Sequence, residues 1–320
     1  MLLKILLLVA GFAILIKGAD FLVTGASSLA RRYGISNLTI GLTVVAFGTS
    51  MPELIVSLIA SLNGQHDASF GNVIGSNNLN ILFILGVSGI ICPLVVQRNT
   101  VKFEVPFSLF AAMVLFVLVN DAYLWSGDNR LSRVDALILL ICFGAFLGYI
   151  YRMMKRSGES EVGDKVRPLS FAKSSGMVVA GMAMLIGGGR VVVDQAVAIA
   201  HTFGLSEKLI GLTILAAGTS LPELATSAVA AYKRNADIAV GNVVGSNIFN
   251  IFFILSVTGL IAPLPYNAEL NMDLFVLCLS TGVLILFMFT LNRNRLDRWE
   301  AGLFLAGYVG YTLYLIRLDS

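Results

Sequence analysis

The sequence predicts an all-α polytopic membrane protein, with ten transmembrane helices in two inverted-topology five-helix repeats. Three observations carry that expectation. Of 320 residues, 57% are hydrophobic and only 13% charged, with a mean hydropathy of +0.85, whereas a soluble domain carries about 25% charged residues. One stretch is written twice: GLTVVAFGTSMPEL from Gly41 and then GNVIGSNNLNILFIL return as GLTILAAGTSLPEL from Gly211 and GNVVGSNIFNIFFIL, at a constant offset of 170 positions. Finally, one charged linker, RMMKRSGESEVGDKVRPLS over 152–170, separates a first five-helix repeat (1–151) from a second (171–320).

Apolar runs of about 20 residues can cross a bilayer as helices. Residues 2–33 form the first, and no small-residue cleavage site follows it, so it reads as a retained span rather than a signal peptide. Gly34 stops it after Arg31 and Arg32, and Ser36 or Asn37 can cap the next helix. The first core then holds a span over 38–62, a turn from Asn63 to Ser69, and a span over 70–91. Pro93 and the polar stretch around Arg98 and Lys102 precede two plain apolar helices over 104–120 and 132–151. After the linker the plan recurs: a helix over 172–202, the second core over 208–262, and helices over 271–291 and 297–316.

Lysine and arginine set the orientation. Fifteen of them fall at the joins after odd-numbered spans and five on the opposite side. Both termini are therefore expected outside and the linker in the cytoplasm, at the plasma (cytoplasmic or inner) membrane. Lys17 and Arg190 remain, each with an acid one turn on (Asp20, Asp194), and read as neutralised pairs. Five spans per repeat is an odd number, so the second repeat enters from the other side. The expected pseudo-two-fold axis lies in the membrane plane and brings Glu53 close to Glu223.

The chemistry lies in the duplicated cores. Gly48 and Pro52 sit mid-span, and Pro52 has no N–H and crowds the carbonyl four residues back. Carbonyls over 46–49 are expected to lose their helical partners, and such backbone is tolerated at membrane depth only where it is buried in protein or lines a wet cavity. Those carbonyls end a half-helix, whose negative dipole end favours a cation. Thr49 and Ser50 add hydroxyls and Glu53 a carboxylate; Ala216, Thr219, Ser220, Pro222 and Glu223 repeat the arrangement. In the partner spans, Asn72, Ser76 and Asn80 share one helical face, as do Asn242, Ser246 and Asn250. A lone Gly–Pro kink often only shapes packing. Two matched acids on two matched kinks instead mark a site, because ionisable groups in a membrane are costly. Asn72 and Asn242 stand near helix starts, where they can equally serve as caps. Asn77 and Asn247 fall off the shared face and read as packing groups.

The pooled ligands are carboxylates, hydroxyls, carbonyls and amide oxygens. All-oxygen ligation suits Ca²⁺, and Na⁺ also accepts it. Sulfur and imidazole play no part: Cys92, Cys142 and Cys278 are scattered in apolar runs, and His66 and His201 fall at outer ends. The net charge of +3 marks no nucleic-acid surface, and no cofactor is expected beyond the transported ions.

The pair GTSMPE/GTSLPE with GNVIGSNNLN/GNVVGSNIFN resembles the α-repeats of the cation/calcium exchanger superfamily, most closely the prokaryotic sodium/calcium exchangers. The resemblance implies a central Ca²⁺ held by Glu53, Glu223 and the carbonyls of Thr49 and Thr219. It implies one Na⁺ site from Ala46, Ser50 and Ser246 with Glu223, and another from Ala216, Ser220 and Ser76 with Glu53. Asn80 and Asn250 complete the set, and Asn at both positions argues against potassium dependence. The function so implied is a secondary antiporter exchanging Ca²⁺ for Na⁺ by alternating access in the lipid bilayer, with Ca²⁺/H⁺ antiport as the alternative. An inverted repeat within one chain favours a carrier with a monomeric functional unit over a channel. With no nucleophile–base pair, HExxH or phosphate loop in the chain, an enzyme is not expected.

Overall fold

The structure, a computed structural model, describes residues 1–97, 100–121, 128–156, 169–203, 216–290 and 294–318. It is mostly helical. Helix α1 (Leu2–Tyr33) ends at Gly34, whose φ of 64° is left-handed and suits glycine, and whose N–H returns to the Ala30 and Arg31 carbonyls. The Ser36 hydroxyl then accepts the Thr39 N–H and opens α2 (Asn37–Thr49).

α2 meets α3 (Met51–Leu62) at a 45° bend. The break falls at Ser50 because Pro52 has no N–H for the Gly48 carbonyl, while the first turn of α3 accommodates it. This corrects the expectation that every carbonyl over 46–49 is freed. The Ala46 carbonyl still accepts the Ser50 N–H at 3.0 Å. Proline removes a donor only at its own position, so the ladder holds one turn upstream.

Helix α4 (His66–Ile91) starts just after Gly64, so residues 66–69 are helical rather than part of the expected turn. Asp67 lies in that first turn, where a carboxylate meets the positive end of the helix dipole. Then come α5 (Thr100–Val119), α6 (Arg133–Arg156) and α7 (Phe171–Thr202). A short turn, Ala216–Gly218, precedes α8 (Leu221–Tyr232), and α9 (Ala236–Ile261), α10 (Asn271–Thr290) and α11 (Arg298–Leu318) follow. The linker over 157–168, Arg98, and the opening of the second core over 208–215 lie outside the described residues.

Among the described residues seven helices are long and apolar enough to cross a bilayer, or eight if the bent α2–α3 pair is one span. α11 is not among them. This is a multi-pass membrane protein.

Two packing features position the site. α1 and α7 touch backbone to backbone: a Cβ on Gly181 would lie 2.7 Å from the Leu22 nitrogen and 2.8 Å from the Gly18 carbonyl oxygen. α9 presses on α2 in the same way, a Cβ on Gly245 falling 2.9 Å from the Leu42 Cα. α9 is also the most enclosed span, with 94% of its most apolar stretch buried against 72% for α4 and 22% for α1. Two antiparallel strand pairs, Leu94–Val95 with Arg295–Leu296 and Arg130–Leu131 with Leu264–Pro265, each tie one half to the other. The pairs Lys17–Asp20 (3.1 Å) and Arg190–Asp194 (4.0 Å) form as expected, and Lys233 also reaches Asp20.

Candidate functional site

Glu53 and Glu223 each follow a proline in the first turn of a helix, α3 and α8, so both carboxylates sit at a positive dipole end. Both are about 1% exposed. Their hydrogen bonds cross between the halves. The Ser50 hydroxyl donates to Glu223 Oε1 at 3.0 Å, and the Ser220 hydroxyl donates to Glu53 Oε1 at 2.9 Å. Ser246 adds a longer bond to Glu223 Oε1 at 3.4 Å.

The threonines cross too. Thr49 Oγ1 donates to Asn242 Oδ1 at 3.0 Å, and Thr219 Oγ1 to Asn72 Oδ1 at 3.3 Å. Asn72 in turn donates to the Glu53 carbonyl at 3.2 Å and to Ser57 Oγ at 2.8 Å. Asn242 does the same with Glu223 at 3.4 Å and Ser227 at 3.0 Å. These two asparagines are therefore not caps. α4 and α9 begin six residues earlier, at His66 and Ala236, and Asn72 and Asn242 instead tether the start of the acid-bearing helix.

Among the site residues expected from the sequence, five oxygens are buried without a hydrogen-bond partner: Glu53 Oε2, Glu223 Oε2, Ser76 Oγ, Asn80 Oδ1 and Asn250 Oδ1. Buried polar atoms are ordinarily paired, and buried charges are paired or coordinate metal. Four of these five are acceptors only when the acids are ionised, which suits a cation. Among the described residues no group of three His, Cys, Asp or Glu side chains could hold a metal, so any cation here needs the neutral oxygens beside the two carboxylates. Ala46 lies in the last turn of α2, and Ala216 opens the turn before Thr219.

Asn77 and Asn247, read from the sequence as packing groups, each donate to the other's backbone carbonyl at 3.3 Å. The available signal was a polar residue at the same buried position of both repeats. The cysteines are free, and His66 and His201 stand at helix ends.

The chain is similar to known proteins over most of its length. A sequence model described as "Sodium/calcium exchanger protein" matches residues 3–152 and 173–317. The "Inner membrane protein YrbG" of Escherichia coli is 39% identical, over 86% of this chain and 87% of its own length. The "Sodium/calcium exchanger MaX1" of Methanosarcina acetivorans is 30% identical over 98% of each chain. Among solved structures, the sodium-calcium exchanger NCX_Mj soaked with Na⁺ and Sr²⁺ is similar with a TM-score of 0.81 at 33% identity, covering 100% of this chain and 99% of that one.

Proposed function

This chain belongs to the sodium/calcium exchanger protein family and is an antiporter of the cation/calcium exchanger superfamily; from that premise we propose that it exchanges Ca²⁺ for Na⁺ by alternating access. In this reading ten transmembrane helices form two inverted repeats, 1–151 and 171–320, joined by a cytoplasmic linker at 152–170, with both termini outside. Ca²⁺ binds between Glu53 and Glu223 with the carbonyls of Thr49 and Thr219. Na⁺ binds beside it, with Ala46, Ser50 and Ser246 around Glu223, and with Ala216, Ser220 and Ser76 around Glu53. Asn80 and Asn250 complete the ligands.

The observation that carries this reading is the reciprocal pair Ser50–Glu223 and Ser220–Glu53, with one buried oxygen of each acid unmatched. Two carboxylates supply the charge that a divalent cation balances. The same oxygens and their hydroxyl neighbours also suit Na⁺, so the two ions compete, and that competition couples their fluxes. α1 and α7, in contact through Gly18 and Gly181, are suited to move as one unit against the remaining helices.

Ca²⁺/H⁺ antiport is the second reading, favoured by the two buried carboxylates themselves, which can trade a cation for protons. Uptake of radiolabelled Ca²⁺ into sodium-loaded and proton-loaded proteoliposomes separates the two. Uptake driven by sodium at equal pH is expected, and uptake driven only by the pH gradient would promote the proton reading. The topology has its own test. Cysteines introduced as Ser157→Cys and Asp67→Cys are expected to react with an impermeant maleimide from opposite sides, and labelling from one side would break the inverted arrangement.

A further inference from the structure

Four asparagines meet between α4 and α9, and all four are buried. Asn77 and Asn247 spend an Nδ2 hydrogen on one another's backbone carbonyl. Asn80 Nδ2 donates to Asn247 Oδ1 at 2.8 Å, and Asn250 Nδ2 donates to Asn77 Oδ1 at 2.9 Å. Each of these bonds runs from one repeat to the other.

An amide has donors only on nitrogen and acceptors only on oxygen. Exchanging the two on Asn80 would set its oxygen against Asn247 Oδ1. Asn247 cannot turn to compensate, because its own nitrogen already serves the Asn77 carbonyl. Asn250 and Asn77 are constrained in the same way, so the four amides have one self-consistent orientation. In that orientation Asn80 Oδ1 and Asn250 Oδ1 are buried without a partner, like the free oxygens of Glu53 and Glu223. Asn80 and Asn250 also stand at the second position of the π-helical stretches Leu79–Ile84 and Phe249–Ile254, a distortion that recurs at functional sites.

We propose that Asn77 and Asn247 are positioning residues that lock the amides of Asn250 and Asn80 crosswise between the repeats, so that each presents only its oxygen to the transported cation. This deepens the exchange reading and rests on it. An unlocked amide would also turn its NH₂ toward the cation, and fixing it in advance removes that ordering cost from binding.

The test is a set of double-mutant cycles on Ca²⁺ binding to the purified full-length chain, followed by titration calorimetry. Asn77→Ala, Asn250→Ala, Asn247→Ala and Asn80→Ala are each expected to raise the Kd roughly fivefold, the scale of one hydrogen bond. The crossed doubles, Asn77→Ala/Asn250→Ala and Asn247→Ala/Asn80→Ala, are expected to bind no more weakly than the worse single. The same-helix doubles, Asn77→Ala/Asn80→Ala and Asn247→Ala/Asn250→Ala, are expected to multiply to about 25-fold. A role in packing alone would not produce that crossed pattern. Asn77→Ser and Asn247→Ser, polar but too short to reach, carry the same expectation should an alanine variant not fold. Crossed doubles that multiply, or an Asn77→Ala that binds Ca²⁺ like the wild type, would overturn the lock. A wild-type chain that binds no Ca²⁺ would overturn the exchange reading as well, a distinct result.

Discussion

The two duplicated cores carry the same site residues in the same register, yet they do not make all the same bonds. Glu223 Oε1 accepts from both Ser50 and Ser246, while Glu53 Oε1 accepts from Ser220, and Ser76, at the place of Ser246, keeps a buried hydroxyl without a partner. Asn242 is wholly buried, whereas Asn72 is partly exposed. Packing accounts for part of the difference, because α9 is drawn against α2 through Gly241 and Gly245. A duplication fixes residue types and spacing. It does not fix distances, since each copy leans on different neighbours. Among the described residues Glu223 thus has one hydroxyl neighbour, Ser246, whose counterpart Ser76 does not bond Glu53.

The largest effect expected is at the acids. Glu53→Gln and Glu223→Gln each leave a dication facing a single buried carboxylate, a loss of about 3 kcal/mol or more, over a hundredfold in Ca²⁺ affinity. The inequality above adds a finer expectation: Glu53→Gln, which keeps the better-furnished acid, retains more residual binding than Glu223→Gln. Calorimetry on both variants checks this, and equal residual affinities would break the comparison.

The tethering asparagines come next. Asn242→Ala strips partners from Thr49, Ser227 and the Glu223 carbonyl, and groups so orphaned cost about 1–3 kcal/mol. Asn72→Ala removes matching bonds at a wetter position and is expected to lower the melting temperature less. A thermal melt of the two variants in one detergent orders them, and the reverse order would show that exposure does not set the cost.

Smaller still are the hydroxyls. Ser50→Ala and Ser246→Ala each remove a neutral oxygen that touches Glu223, worth about 1 kcal/mol or roughly a fivefold rise in sodium half-saturation. Ca²⁺ binding at the two acids is expected to shift less. Ser76→Ala removes a hydroxyl that bonds neither acid and is expected to give a smaller rise. Calcium flux against internal sodium at fixed pH measures all three, and a Ser76 effect as large as that of Ser246 would erase the asymmetry.

The smallest effect concerns a contact seen in one repeat alone among the described residues. Lys233 reaches Asp20, whereas the matching position in the first repeat is Asn63. Both side chains of the pair are about a third exposed, and such ion pairs are worth less than about 1 kcal/mol. Lys233→Ala is therefore expected to leave the melting temperature within a few degrees of wild type. A larger drop would show this tie to hold α1 in place.

Much of the site was legible before any contact was known. Glu53 and Glu223 stood out because an ionisable group at membrane depth is expensive whatever its neighbours. Pro52 and Pro222 located the breaks because a missing N–H acts within one turn. The same local reasoning overreached at Ala46, whose carbonyl keeps the Ser50 N–H. It also left Asn72 and Asn242 open between cap and site, because a helix start is uncertain by a few residues, and that margin separates a cap from a tether.

What the sequence by itself determined is the duplicated register, the apolar spans, the two acids and the face each polar residue occupies. These follow from composition and a 3.6-residue period, both readable along the chain. Only the tertiary structure decided that Asn77 serves Asn250 and Asn247 serves Asn80, and that, among the described residues, Ser246 reaches Glu223 while Ser76 has no matching bond. The physical reason is that periodicity says which side of a helix a residue faces and nothing about which helix lies opposite. Asn80 and Asn247 are 167 positions apart, as are Ser220 and Glu53, and only the packing of α4 against α9, and of each acid-bearing helix against the other half, brings such pairs within hydrogen-bond reach.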